Sequence, residues 1–412
     1  MLGPLPDVVI TGVAMTTSLA AQAEDTWTAL LDGRSGIRPL EADNLDGLEL
    51  PSRIGGQLVE DVEADLTRVE LRRLSFLQKM AVVLSRRAWA DCGSPEVDTA
   101  RLGVTVGTGL GSTEDIIIAY HEMRQRGLKA VSPLAVQMFM PNGPAAAVGL
   151  ERGARAGVTA PLTGDSSGAA AIAQAWRNIA FGDADVVVCG GVEAKLEGVP
   201  ISAYGQLDGV LATDDADPAA ACKPFDRDRT GMVLGEGGAI LIMETEQHAK
   251  ARGARVLARV LGGAMTSDGY DAFRANPDAE QQAYAITRTL EMAGLAPTDV
   301  DHVNAHAAGT VEGDLTEATA LGKVFGSHRP AVYASKAALG HALGGSGAIE
   351  AALTVLALRD GVVPPTLNLR HLDDRVDLDV VAGEPRRGDY RHAVSTSFGF
   401  GGHNVALAFG KA

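Results

Sequence analysis

Two histidines and a lysine, each beside a short β-branched run and a stretch of small residues, are the side chains best placed for chemistry. His306 closes Val303-Asn-Ala-His306 and leads into Ala-Ala-Gly-Thr310, while Lys336 and His341 lie in Ser335-Lys-Ala-Ala-Leu-Gly-His341. Such groups do acid–base work when a fold converges them, although a lone histidine is more often a part-buried structural residue. Lys336 and His341 are five apart, so a helix would put them on different faces and a loop must bring them together. Thr163-Gly-Asp-Ser-Ser-Gly runs from turn residues into an Ala-rich helix. Asp165, Ser166 and Ser167 are all good N-cap types, and capping is the commoner role for Asp165. A helix N-terminus with its positive dipole end also activates nucleophiles and holds anions. Ser397-Phe-Gly-Phe-Gly-Gly-His-Asn404 adds glycines that let backbone approach a ligand closely.

Short β-branched runs alternate with Ala-rich helical stretches, the pattern of a layered α/β protein with mixed sheets. Predicted strands are 8–12, 102–107, 185–189 and 239–244, then 256–263, 300–304, 331–335, 393–397 and 405–409. Predicted helices include 166–181, 278–293, 313–321 and 344–358. Strand, helix, strand recurs on both sides of residue 250, which predicts two related halves, 1–250 and 251–412, fused into one compact body. Segments 213–218 and 364–374 read as surface loops.

With 412 residues the chain can bury a large core. Its 52 acidic against 36 basic residues, a net charge of -16, argue against a general nucleic-acid or anionic-membrane binder. The three cysteines, Cys92, Cys189 and Cys222, lack CxxC spacing, imply no metal site and suit a reducing cytosol. No apolar run reaches the roughly 18–20 residues of a membrane span, so a cytoplasmic protein is expected.

Singly these segments are weak, but their order and separations are specific. Together with GTGLG at 107–111, PNG at 141–143, CGGVE at 189–193 and KPFDRDRTGMVLGEGG at 223–238, the chain resembles the β-ketoacyl-carrier-protein synthases of the thiolase fold over its whole length. PSRIGG, SPLAVQMFMPNG and LDVVAGEP are most similar to the synthases that elongate acyl chains toward mycolic acids. The resemblance implies an α-β-α-β-α layering and a dimer. It also implies no tightly bound cofactor, substrates carried on the phosphopantetheine arm of acyl carrier protein, and three steps: acyl transfer to a cysteine, malonyl decarboxylation and carbon–carbon bond formation. His306 and His341 match the histidines that stabilise the enolate oxygen, Lys336 matches the lysine that organises the charges, and Phe398 and Phe400 lie in the stretch that gates the pocket.

The cysteine position holds Asp165. A carboxylate attacking a thioester forms a mixed anhydride that hydrolyses rather than persists, so condensation by this chain alone is not expected. Relatives with glutamine here keep malonyl decarboxylation; an ionised Asp165 would repel the malonyl carboxylate by roughly 4 kcal/mol at about 4 Å and an effective dielectric near 20. The same charge is expected to draw His306 and His341 into a closed cluster and raise their pKa values. The histidine turn keeps Thr310 but has Ala308 for the first of the two threonines that hold the arm, a loss of about 1 kcal/mol. An active synthase altered from Cys to Asp to trap an intermediate would not need that second change. Two roles follow: a chain-length-factor-like partner of an active ketosynthase (or a homodimer), or a malonyl-carrier-protein decarboxylase. In the first, Ser112, Met138 and Phe139 set chain length from the dimer partner's side of the tunnel. Arg68, Arg72 and Arg73 match the basic helix on which relatives receive the acidic carrier protein.

Overall fold

The computed structural model describes residues 6–412 apart from 42–44, 46, 194–195 and 213–215. Among the described residues, eleven strands form one hydrogen-bonded sheet. In chain order they are β1 (Val8–Thr16), β2 (Leu102–Gly107), β3 (Val158–Thr159), β4 (Val186–Glu193), β5 (Gly237–Thr245), β6 (Ala258–Ser267), β7 (His302–Asn304), β8 (Ala331–Tyr333), β9 (Asp379–Val380), β10 (His392–Gly399) and β11 (His403–Lys411). Their order across the sheet is β9-β8-β7-β10-β11-β6-β1-β5-β4-β2-β3. On one side of the centre β1 pairs antiparallel with β5, β5 antiparallel with β4, then β4, β2 and β3 run parallel. On the other, β6 pairs antiparallel with β11, β11 antiparallel with β10, then β10, β7 and β8 run parallel. The same pairing pattern thus occurs twice, once among strands within residues 8–245 and once among strands within residues 258–411. The two half-sheets are hydrogen-bonded to each other where Val8, Val9 and Ile10 face Val260, Arg259 and Ala258.

The helices that matter for the site are α1 (Arg68–Arg73), α2 (Phe76–Asp91), α3 (Thr113–Arg126), α4 (Ala135–Phe139), α5 (Gly143–Arg152), α6 (Ser167–Ala180), α7 (Glu280–Ala293), α8 (Val311–Phe325) and α9 (Leu343–Asp360). In α9 every residue from Leu343 to Leu358 is buried, and a helix apolar all round belongs in a protein interior. Helices α6 and α9 pack between the half-sheets, while α2 and α5 cover the outer face of one half and α7 that of the other. Five layers result, helix and sheet alternating. Strands β4 and β5 are buried along almost their whole length, as strands covered on both faces must be.

The predicted strands are all present, but several run longer. Strand β4 continues past the predicted end at 189 through Gly190 and Gly191 to Glu193, and the glycines are sites of close packing: a Cβ on Gly191 would lie 2.7 Å from Gly168 Cα. Likewise a Cβ on Gly344 would lie 2.1 Å from Gly109 N, so the GTGLG turn and the start of α9 meet backbone to backbone. Segment 364–374 is a loop with one isolated bridge at Leu372, and part of 213–218 lies outside the described residues. No helix among the described residues is long and apolar enough to cross a membrane.

Candidate functional site

Asp165 sits in a single tight turn, Gly164–Ser166, at the start of α6. It does not cap the helix, contrary to the commoner expectation for its type and place. Ser167 Oγ donates to Gly164 O at 2.6 Å and accepts from Thr163 N at 2.9 Å, while Ser166 Oγ donates to Thr163 O at 2.9 Å. With the turn secured by the serines, the Asp165 carboxyl faces a cavity of about 530 Å³ and is only 6% exposed. Burial pushes its pKa up to about 7; Lys336 opposes that rise and Glu193 adds to it.

His341 follows the short helical turn Lys336–Leu339 and Gly340, whose φ of +77° suits a residue without Cβ. This is the loop that brings Lys336 and His341 together. His341 N donates to Val233 O at 2.7 Å and Gly235 N to His341 O at 2.9 Å, so segment 223–238 anchors the histidine's backbone. Its Nδ1 accepts from Leu343 N at 3.0 Å and lies 3.1 Å from Ser346 Oγ. A backbone N–H can only donate, so the neutral ring carries its proton on Nε2. That Nε2 lies 3.8 Å from Asp165 Oδ2. His306 presents the same edge: Lys336 Nζ, also a donor only, lies 3.4 Å from its Nδ1 and donates to its carbonyl at 2.6 Å. The two rings are 5.2 Å apart between centroids, at 75°. Burial, and then the Lys336 ammonium, hold both imidazoles well below the usual histidine range.

Both predictions drawn from an ionised Asp165 are therefore corrected. The histidines are depressed, because desolvation and the adjacent ammonium outweigh the carboxyl. At 3.8 Å the Asp–His contact is also longer than a hydrogen bond, so the cluster is open.

The cavity is lined further by Ala308, Thr310, Phe398, Gly399 and Phe400. Phe398 packs 6.1 Å from the His306 ring, and Phe400 lies between Phe273 and Tyr204 at 5.8 and 5.9 Å. A Cβ on Gly399 would come 3.1 Å from Asp165 N, so this turn rests on the Asp165 backbone.

Family models for the beta-ketoacyl synthase N-terminal domain and C-terminal domain match residues 6–249 and 257–370. The chain belongs to the beta-ketoacyl synthase family. The 3-oxoacyl-[acyl-carrier-protein] synthase 2 of Mycobacterium tuberculosis is 59% identical over 406 residues, 98% of this chain and 97% of that protein. Among solved structures, the ishigamide ketosynthase/chain length factor matches with a TM-score of 0.91 and 28% identity over 99% of this chain and 100% of that one. A ketosynthase bound to a hexaketide in complex with a type II PKS acyl-carrier protein matches with a TM-score of 0.91 and 25% identity, at the same coverage. The fold is the thiolase-like ketosynthase fold.

Other side chains singled out from the sequence stand apart from this ketosynthase cavity. Ser112 is buried, 3.0 Å from Ser75 Oγ, in a separate small cleft with Leu110, Leu196 and Leu343. Met138 and Phe139 are half-buried on α4, beside the exposed Val136 and Met140. Arg68, Arg72 and Arg73 stand exposed on α1 and make no ion pair among the described residues. A capping box between Thr67 and Glu70 forms that short helix.

Three buried glutamates, not singled out beforehand, position the site. Glu350 pairs with Lys336; Glu317 accepts from His306 N at 2.9 Å and Ala307 N at 2.7 Å; Glu193 accepts from Gly109 N at 2.7 Å and Gly344 N at 3.0 Å. The signal for Glu350 was present, a lone acid in an apolar helix, where burial demands a partner. Arg229 and Asp314 hold the turn at Gly309 and Thr310: Arg229 donates to Thr310 O at 3.1 Å and Val311 O at 2.8 Å, and Gly309 N donates to Asp314 Oδ1 at 3.0 Å.

Proposed function

We propose that this chain is a cytoplasmic ketosynthase-family subunit of fatty-acid or polyketide chain elongation that does not condense by itself and pairs with an active ketosynthase, as a chain-length factor does. The observation that carries the reading is Asp165: at the nucleophile position, relieved of capping and facing the cavity, it offers an oxygen whose acyl product hydrolyses rather than waits for a second substrate. Acyl carrier protein is the other partner, its arm entering past Thr310, Phe398 and Phe400, with Arg68, Arg72 and Arg73 receiving its acidic surface. Ser112, Met138 and Phe139, near exposed Leu110, Val136 and Met140, suit a role across a dimer contact better than one in this chain's own cavity. The name of one solved neighbour, a ketosynthase/chain length factor, supports the pairing. Co-expression with an intact synthase encoded nearby, followed by sizing and mass analysis, is expected to give a 1:1 complex. A chain that forms only homodimers beside that synthase removes the partner role.

One observation favours a second reading, a malonyl-carrier-protein decarboxylase. The two imidazoles line the cavity with Lys336 behind His306, without needing a nucleophile. Acetyl product from malonyl-carrier protein and the purified chain would support it.

A further inference from the structure

The Asp165 carboxyl lines the same cavity as the two imidazoles, an arrangement that a silent partner does not need. Among the described residues the carboxyl accepts no hydrogen bond, and His341 Nε2 lies 3.8 Å from it. His306 and His341 have acceptors at Nδ1 and so turn Nε2–H groups inward. With an Asp165 oxygen 3.8 Å from one of those donors, a thioester oxygen accepting from them at about 2.9 Å can place its neighbouring carbon C2 within the roughly 3–3.5 Å of the carboxylate that proton transfer requires. The Gly399 turn rests on the Asp165 backbone, and the cavity reaches this point from the Thr310 side.

We propose that the site moves a proton at C2 of an acyl-pantetheine thioester, with Asp165 as the base and the Nε2–H groups of His306 and His341 as the oxyanion donors. The C2–H bond breaks and its proton goes to a carboxylate oxygen of Asp165, while the electron pair forms the C1–C2 double bond and charge moves to the thioester oxygen. The reverse step re-forms the C2–H bond. No bond to sulfur changes and no oxidant or other reactant is consumed. In D2O the protonated carboxyl exchanges with solvent before it returns the proton, so C2 acquires deuterium. With a malonyl thioester, the acid form of Asp165 protonates C2 after carbon dioxide leaves. A carboxylate opposite preset oxyanion donors is an arrangement known to support enolisation. Burial, which brings Asp165 to about 7, keeps both its forms populated near neutral pH. The other titratable groups around it are His306, His341, Lys336, Glu193 and Tyr204.

This activity rests on the arm reading of the cavity but not on the choice of protein partner. Acetyl-pantetheine is incubated with the full chain in D2O and loss of the acetyl methyl proton signal is followed by NMR, with saturation transfer from the protein reporting binding. Exchange well above the buffer rate is expected, rising as pH increases through about 7. Asp165→Asn should lose about 100-fold or more of it with binding kept; His341→Ala should also lose rate. Exchange by Asp165→Asn at the parent rate overturns the proposal, as does a parent chain that binds the thioester without exchanging it. Neither binding nor exchange overturns both the proposal and the arm reading.

Discussion

At Asp165 burial sets the charge state, and the charge state sets what the residue costs. Its pKa is about 7 in the fold against 3.8 for a free aspartate side chain. Between those values the folded state holds a proton that the unfolded chain has lost, so this group's contribution to stability falls as pH rises through the window and is least above pH 7. Asp165→Asn removes the titration while keeping the shape. We expect the variant to exceed the parent by on the order of 2–4 kcal/mol at pH 8, with the gap narrowing below about pH 7 and closing near about pH 4. Urea denaturation at both pH values measures this, and a pH-independent gap would mean that the carboxyl is solvated. The like-charge penalty expected against malonyl carboxylate is eased for the same reason, since the protonated form is as neutral as a glutamine amide.

Among the elements, α9 carries the largest electrostatic commitment. Glu350 lies in the middle of its buried length and meets the Lys336 ammonium, which also holds the His306 carbonyl. Breaking such a pair leaves an uncompensated buried charge, whereas replacing both members by apolar groups removes the need for either. Glu350→Ala is therefore expected to lose about 3–5 kcal/mol, and the double variant Lys336→Met with Glu350→Leu to lose less than Glu350→Ala alone. Equilibrium denaturation of the two proteins decides it. Comparable losses would mean that packing, not charge, dominates at this point of the helix.

Over the whole molecule the charge is -16, yet α1 exposes Arg68, Arg72 and Arg73 together on one short helix. A basic site on an acidic protein speeds encounter with an acidic partner and loses that advantage as salt screens it. Reversing all three to Glu is expected to weaken acyl-carrier-protein binding by about tenfold or more at low salt and to flatten its salt dependence. Titration at two ionic strengths measures both, and unchanged affinity would place the docking surface elsewhere. Helices α3 and α4 also expose the apolar side chains Ile116, Ile118, Val136 and Met140, which the proposed pairing would cover.

Much of this was legible in the sequence because it is local. Alternating β-branched and Ala-rich runs determined the strand and helix order, and the resemblance of the motifs to the ketosynthases marked His306, Lys336, His341 and Asp165 as one set. Strand ends were less legible: Gly190 and Gly191 look like turn residues until the packing of Gly168 against β4 gives them another purpose. The tertiary structure alone decided that Ser166 and Ser167, not Asp165, secure the helix start, that both histidines turn Nε2–H inward, and that Asp165 is poised near neutrality. It also decided that Lys336 belongs to Glu350. The physical reason is distance along the chain: propensity and turn chemistry depend on neighbours a few residues away. Protonation and tautomer depend on partners such as Asp165 and His341, 176 positions apart in the numbering, which meet only once the two halves have packed around α6 and α9.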